Sequence, residues 1–200
     1  MEFVRLGIVY FHLIACCVAV GLVLTSDLRM IRQLWTGDYG NQHDADELTG
    51  LQSTISKALI VLWITGAAII WIDVAAKSFT YFNNPKIQAK IGMVVLLTLN
   101  GVALHSVVMP ALKRVGSLLR LTFSARMLAI FSGAISAVSW FYAALLGVGR
   151  PLAWKYSLVQ LLAAYPFLVA AGFIMMAALT ARAKIRDGGV GFERSLQSFN

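Results

Sequence analysis

Long apolar runs separated by short polar stretches set the pattern of this chain. Leu6 to Ser26, Ile91 to Leu112, Met127 to Gly149 and Tyr156 to Ala181 carry no acidic residue, lysine or arginine. Each reaches or exceeds the roughly 20 residues that cross about 30 Å of hydrocarbon as a helix. A fifth run, Ala58 to Ala76, qualifies with Asp73 near its end; without it, four spans remain. The runs are continuously apolar and do not alternate every second residue, so they predict helices and not barrel strands. The expected fold is an all-α integral membrane protein, a bundle of five transmembrane helices at about 3–26, 53–76, 86–110, 123–146 and 156–180. Residues 1–181 form one domain, followed by a basic, partly disordered tail, 182–200.

The polar positions place the turns. Leu28, Ile31, Leu34 and Trp35, with Arg29 and Arg32 opposite, carry the first helix on as an amphipathic surface segment. Residues 36–50, TGDYGNQHDADELTG, read as a solvated acidic loop, and His43, Asp44, Asp46 and Glu47 match no calcium or zinc spacing. Asn84-Pro85 starts the third helix, because asparagine caps and proline fits the first turn. The stretch from Asn83 to Pro110 is the one the other helices are expected to gather around. In the fourth helix, Ser132, Gly133, Ala134, Ser136, Ala137 and Ser139 let neighbouring backbones approach closely. Tyr165-Pro166 predicts a kink in the fifth.

Composition agrees, since 59% of residues are hydrophobic and 13% charged, against roughly a quarter charged in soluble chains. The net charge of +8 invites a nucleic-acid reading. The basic residues instead flank the apolar runs, six on one side and eleven on the other. That bias argues against nucleic acid and orients the N-terminus outside and the C-terminus in the cytoplasm. Cys16 and Cys17 are adjacent within the first span and form no disulfide framework. Leu13-Ile14-Ala15-Cys16 has the outline of a lipoprotein processing box. The apolar run continues past Cys16, however, and His12 sits inside it, so an uncleaved helix is the better reading.

Chemistry is expected where topology brings polar groups to one depth. His12, Asp73, Lys90, Trp140 and Tyr165 each fall in the outer half of one of the five helices. Ionisable residues inside a membrane tend to face the bundle and mark function, although the plain structural reading is that Asp73 and Lys90 snorkel or pair near the interface while His12 bonds a neighbouring helix. His12 and Cys16 are four apart on one helical face and form a candidate metal pair for copper or zinc. His12 lies roughly 9 Å into its helix and His105 roughly 22 Å from Lys90 along its own, so the two cannot clamp one haem. His43, the third histidine, lies in a loop, which excludes a four-histidine, two-haem design.

His12 followed by a basic helix end, Gly66 in helix two, and Asn84-Pro85 with Lys90 in helix three resemble a group of small bacterial inner-membrane proteins. The group includes the copper-resistance protein D family, the HemJ-type membrane protoporphyrinogen oxidase and related families of unknown function. The resemblance covers about residues 5 to 112. It implies a bacterial inner-membrane location and a porphyrin or haem b site served by His12 and Lys90. The third-helix histidine of the HemJ-type enzymes is absent, Asn100 and Gly101 occupying that region. Three functions follow as expectations: a haem- or porphyrin-associated redox protein, and if an enzyme then a membrane oxidoreductase; a copper-handling membrane protein; or a non-catalytic structural or assembly subunit. The expected partners are the lipid bilayer and either a second copy or a membrane complex.

Overall fold

The computed structural model describes the backbone of residues 2–37, 43–149 and 155–197, and their side chains except at 43–49, 77 and 188–197. It is built from helices α1 (Glu2–Thr36), α2 (His43–Lys77), α3 (Pro85–Ala103), α4 (Met109–Val115), α5 (Phe123–Val148), α6 (Leu158–Leu162) and α7 (Tyr165–Gln197). Among the described residues there is no strand. Five segments are long and apolar enough to cross a membrane: Glu2–Thr36, Gly50–Ala76, Pro85–Val115, Phe123–Val148 and Leu158–Asp187. The chain therefore has the build of a multi-pass membrane protein, with α3 and α4 sharing one span and α6 and α7 another.

Both prolines inside the spans act through the missing N–H. Pro110 cannot donate to the preceding turn, and the helix widens into a π-turn over Leu104–Val108, closed by the Met109 N–H to the Leu104 carbonyl. The third span is thus distorted at Pro110 without ending there. Pro166 separates α6 from α7 at residues 163–164, as its position predicts. Asn84 caps α3, its side chain accepting from the Lys86 N–H at 3.0 Å.

Two boundaries differ from the sequence reading. Helix α2 begins at His43, inside the stretch read as a loop; acidic residues suit a helix N-terminus, and Asp44, Asp46 and Glu47 all fall in its first turns. The side chains of that acidic stretch lie outside the described residues, as do residues 38–42. Helix α7 runs to Gln197, so most of the tail read as partly disordered is helical in the described backbone.

Packing also moves the centre of the molecule. Helix α3 packs on α5 and α6 but meets α2 lightly, whereas α1 touches α2, α5 and α7, and α5 touches α1, α3 and α7. The bundle is gathered around α1 and α5, not around residues 83–110. Small residues explain why: Ser132, Ala134 and Ser139 of α5 are buried, and a Cβ on Gly172 of α7 would stand 3.7 Å from that of Ala134. At the Trp35 end of the bundle, Arg186 of α7 reaches across to α1. It donates to the carbonyls of Trp35 at 2.8 Å and Leu34 at 3.1 Å, satisfying acceptors that a helix C-terminus leaves open. Arg182 stacks over the Trp35 ring at 4.9 Å, so the end of α1 read as an amphipathic surface segment is tied to α7.

Candidate functional site

Helices α1 and α2 run antiparallel, and two side-chain pairs fix their register. Arg5 lies against Asp73, with Nε to Oδ1 at 3.1 Å and the second contact at 3.3 Å. Seven residues further along α1 and eight back along α2, His12 Nδ1 meets Thr65 Oγ1 at 2.8 Å. The Thr65 hydroxyl also lies 2.6 Å from the Val61 carbonyl, and when it donates there it accepts from the Nδ1–H tautomer of His12. In that tautomer Nε2 keeps a free lone pair, the arrangement in which a histidine accepts a proton or binds a metal.

Lys90 enters from α3. Its ammonium is close enough to interact electrostatically with the His12 ring and the Cys16 thiol, and it has no hydrogen bond or ion pair to another described residue. Lys86, one turn towards the Arg5 end, is buried and adds a second positive charge to the same helix. Helices α2 and α3 touch only lightly, and towards the middle of the bundle they are bridged by Trp63 Nε1 donating to Thr98 Oγ1 at 2.9 Å.

The five groups expected at one depth separate into three places. His12, Cys16 and Lys90 come together, and Trp140 lies near them, buried with Ala15, Ala19, Leu62 and Leu97 in the cluster against which Cys16 packs. Asp73 is two turns nearer the Arg5 end, held by Arg5 and by the Tyr81 hydroxyl, which donates to Oδ2 at 2.9 Å. Burial and that bond push the Tyr81 phenol up to about 12. Asp73 is thus a structural carboxylate paired with Arg5 and Tyr81. Tyr165 lies on the far side of α3, its hydroxyl 2.8 Å from Ser139 and its ring edge-on to Tyr142. Cys17 is exposed, and no group of three or more His, Cys, Asp or Glu side chains that could hold a metal occurs among the described residues. His105 lies beside the π-turn, far from His12.

Two residues of this site escape a reading by residue type, Thr65 and Lys86. The signal for Thr65 is the complementary charge of Arg5 and Asp73: once these are paired, the antiparallel register places Thr65 opposite His12. Gly66 lets the imidazole rest against α2, a Cβ there standing 3.5 Å from Cε1. Two helical turns towards the Trp35 end from Lys90, Asn100 and Ser132 bond reciprocally across α3 and α5 at 2.9 and 2.7 Å. No protein-family model, curated protein or solved structure matches the chain.

Proposed function

We propose that the protein binds a haem or porphyrin beside His12 and Lys90, where α2 and α3 touch only lightly, and serves membrane redox chemistry. The observation that carries this reading is a histidine nitrogen beside an ammonium that has no ion pair among the described residues. His12 Nε2 offers a lone pair while Thr65 holds the ring, and Lys90 offers a positive charge with no hydrogen bond or ion pair to another described residue. A ligand that satisfies both presents an electron-pair acceptor and an anionic group. An iron porphyrin with its propionates has that combination, and its iron supplies a one-electron redox couple when bound. His12 would hold the iron, Thr65 would orient the imidazole, and Lys90 would pair with a carboxylate of the porphyrin.

Lys90 also argues against copper at His12 and Cys16, because an ammonium beside the pair repels a cation. The copper reading predicts that replacing Lys90 by methionine strengthens metal binding; the porphyrin reading predicts that it weakens pigment binding. The bias of its basic residues supports an N-terminus outside and a cytoplasmic C-terminus, and a bacterial inner membrane is what the resemblance of its motifs implies. The test is the visible spectrum of protein purified in detergent from haem-replete cells, with metals measured on the same sample. A Soret band that disappears in His12→Ala supports the assignment. A colourless protein that also fails to bind added haemin overturns it.

A further inference from the structure

A second polar cluster lies at the other end of the bundle. Beside the π-turn, Gln52 of α2, His105, and Met109, Pro110 and Lys113 of α4 line a half-open recess of about 160 Å³. His105, Met109 and Lys113 are spaced by four and fall on one side of the span, where the wider turn forced by Pro110 sets His105 facing α2. An engineered cavity of about 150 Å³ admits benzene, so this recess takes a group the size of a phosphate and is too small for a tetrapyrrole.

Its chemistry is one-sided. Among the described residues that line the recess, Gln52 contributes an amide, His105 an imidazole and Lys113 an ammonium, and none is a carboxylate. Neither His105 nor Lys113 has a hydrogen bond or ion pair to another described residue. Met109 and Pro110 supply an apolar wall. Lys113 sits in the last turn of the span Pro85–Val115, at the level where lipid headgroups meet water. The same end of the bundle also carries Arg32, Arg114, Arg120, Arg182 and Lys184, a concentration of charge that draws anions from both the membrane surface and solution.

We propose that this recess is a binding site for a phosphate group, held by Lys113, His105 and Gln52 and distinct from the site at His12. Two sources present that chemistry, the headgroup of an anionic phospholipid and a soluble phosphate ester, and two measurements separate them. In the first, protein in phosphatidylcholine nanodiscs with added phosphatidylglycerol is released and examined by native mass spectrometry for retained phosphatidylglycerol. In the second, inorganic phosphate is titrated into protein in phosphatidylcholine nanodiscs while the His105 ring nitrogens are followed by NMR.

Retention of one phosphatidylglycerol, reduced about fivefold in Lys113→Gln, supports a lipid site. A phosphate-dependent shift at His105 without lipid retention supports a soluble phosphate site. Gln52→Leu leaves the charge unchanged and separates a built site from loose attraction, so it weakens binding in either case. Arg114→Gln, one residue along and outside the recess, leaves it unchanged. Absence of both signals overturns the proposal, as does an Arg114→Gln effect equal to that of Lys113→Gln. Circular dichroism of each variant confirms that the helices are intact.

Discussion

Of the polar pairs within the membrane-spanning part of this molecule, two are built in opposite ways. Asn100 and Ser132 face each other across α3 and α5, both buried, each giving and accepting one bond. Each polar atom of these side chains has a partner and is closed off by packing. His12 and Thr65 also bond across two helices, but the pair is half-open, its second ring nitrogen is unspent, and Lys90 brings a charge with no hydrogen bond or ion pair to another described residue. A polar group inside a bilayer is costly unless satisfied. The first pair meets that cost internally and serves packing; the second leaves it to be met by something bound. The distinction between structural and functional polarity here lies in the valences left open, not in residue type.

The strongest way to break this contrast is to exchange the two readouts. His12→Ala is expected to abolish pigment binding while changing stability by less than about 0.5 kcal/mol, the range of substitutions that remove no buried packing. Asn100→Ala is expected to do the reverse, lowering stability by about 1 kcal/mol, within the range measured for hydrogen bonds between membrane helices, with the spectrum intact. Thermal unfolding in detergent and the Soret absorbance report the two effects separately. Loss of pigment in both variants would merge the pairs into one site.

The next effect is carried by Thr65, which touches no ligand in this assignment and acts through His12. Thr65→Val removes the acceptor that fixes the ring tautomer, and haemin affinity should fall about tenfold, the lower end for lost outer partners of metal-binding histidines. Thr65→Ser keeps the oxygen and should restore it. The nitrogen chemical shifts of His12 provide a readout that a mere packing defect would not move: Thr65→Val should mix the two tautomers, whereas the native protein and Thr65→Ser show the ring proton on Nδ1.

How much of this was legible in the chain follows from the same residues. The spans come from continuous apolar runs, which lipid enforces, and the break before Tyr165 comes from a proline with no N–H to give. Helix pairing was less legible. Nothing in Asn83 to Pro110 says that α3 turns its face to α5, because the small residues that draw them together belong to α5. Thr65 and Ser132 are ordinary hydroxyl residues in helices, and their roles arise from register, which a single helix does not encode. His12 and Lys90 could be singled out because ionisable groups stand out against an apolar background; Asp73 stood out equally and is consumed by Arg5 and Tyr81. Rarity in a span identifies candidates, and pairing decides among them.

The Arg5, Asp73 and Tyr81 cluster offers a gentler test, because it is charged like the His12 site yet satisfied like the Asn100 pair. The folded protein keeps the Tyr81 proton to about 12, whereas an unperturbed phenol releases it near 10.0. Between those values the folded state binds the extra proton, so stability present at neutral pH is lost as pH rises through the window. Tyr81→Phe should remove that part of the slope in unfolding measured across the alkaline range. An unchanged slope would mean that Tyr81 is free of Asp73, and the cluster would then resemble the open site.

The smallest expected effect is at Gly66, and it asks how tightly the His12 site is packed. A Cβ at this position would stand 3.5 Å from His12 Cε1, an ordinary van der Waals contact, and alanine is intrinsically better than glycine inside a helix by roughly 1 kcal/mol. Gly66→Ala should therefore leave the pigment in place and stability equal or slightly higher. Gly66→Leu must push the imidazole off the Thr65 hydroxyl and reproduce the weakened binding of Thr65→Val. If alanine alone displaces the pigment, the ring has no freedom against α2, and the His12 site is as closely fitted as the seam between Asn100 and Ser132. Its openness would then face Lys90 alone, which confines the ligand to the α3 side of the imidazole.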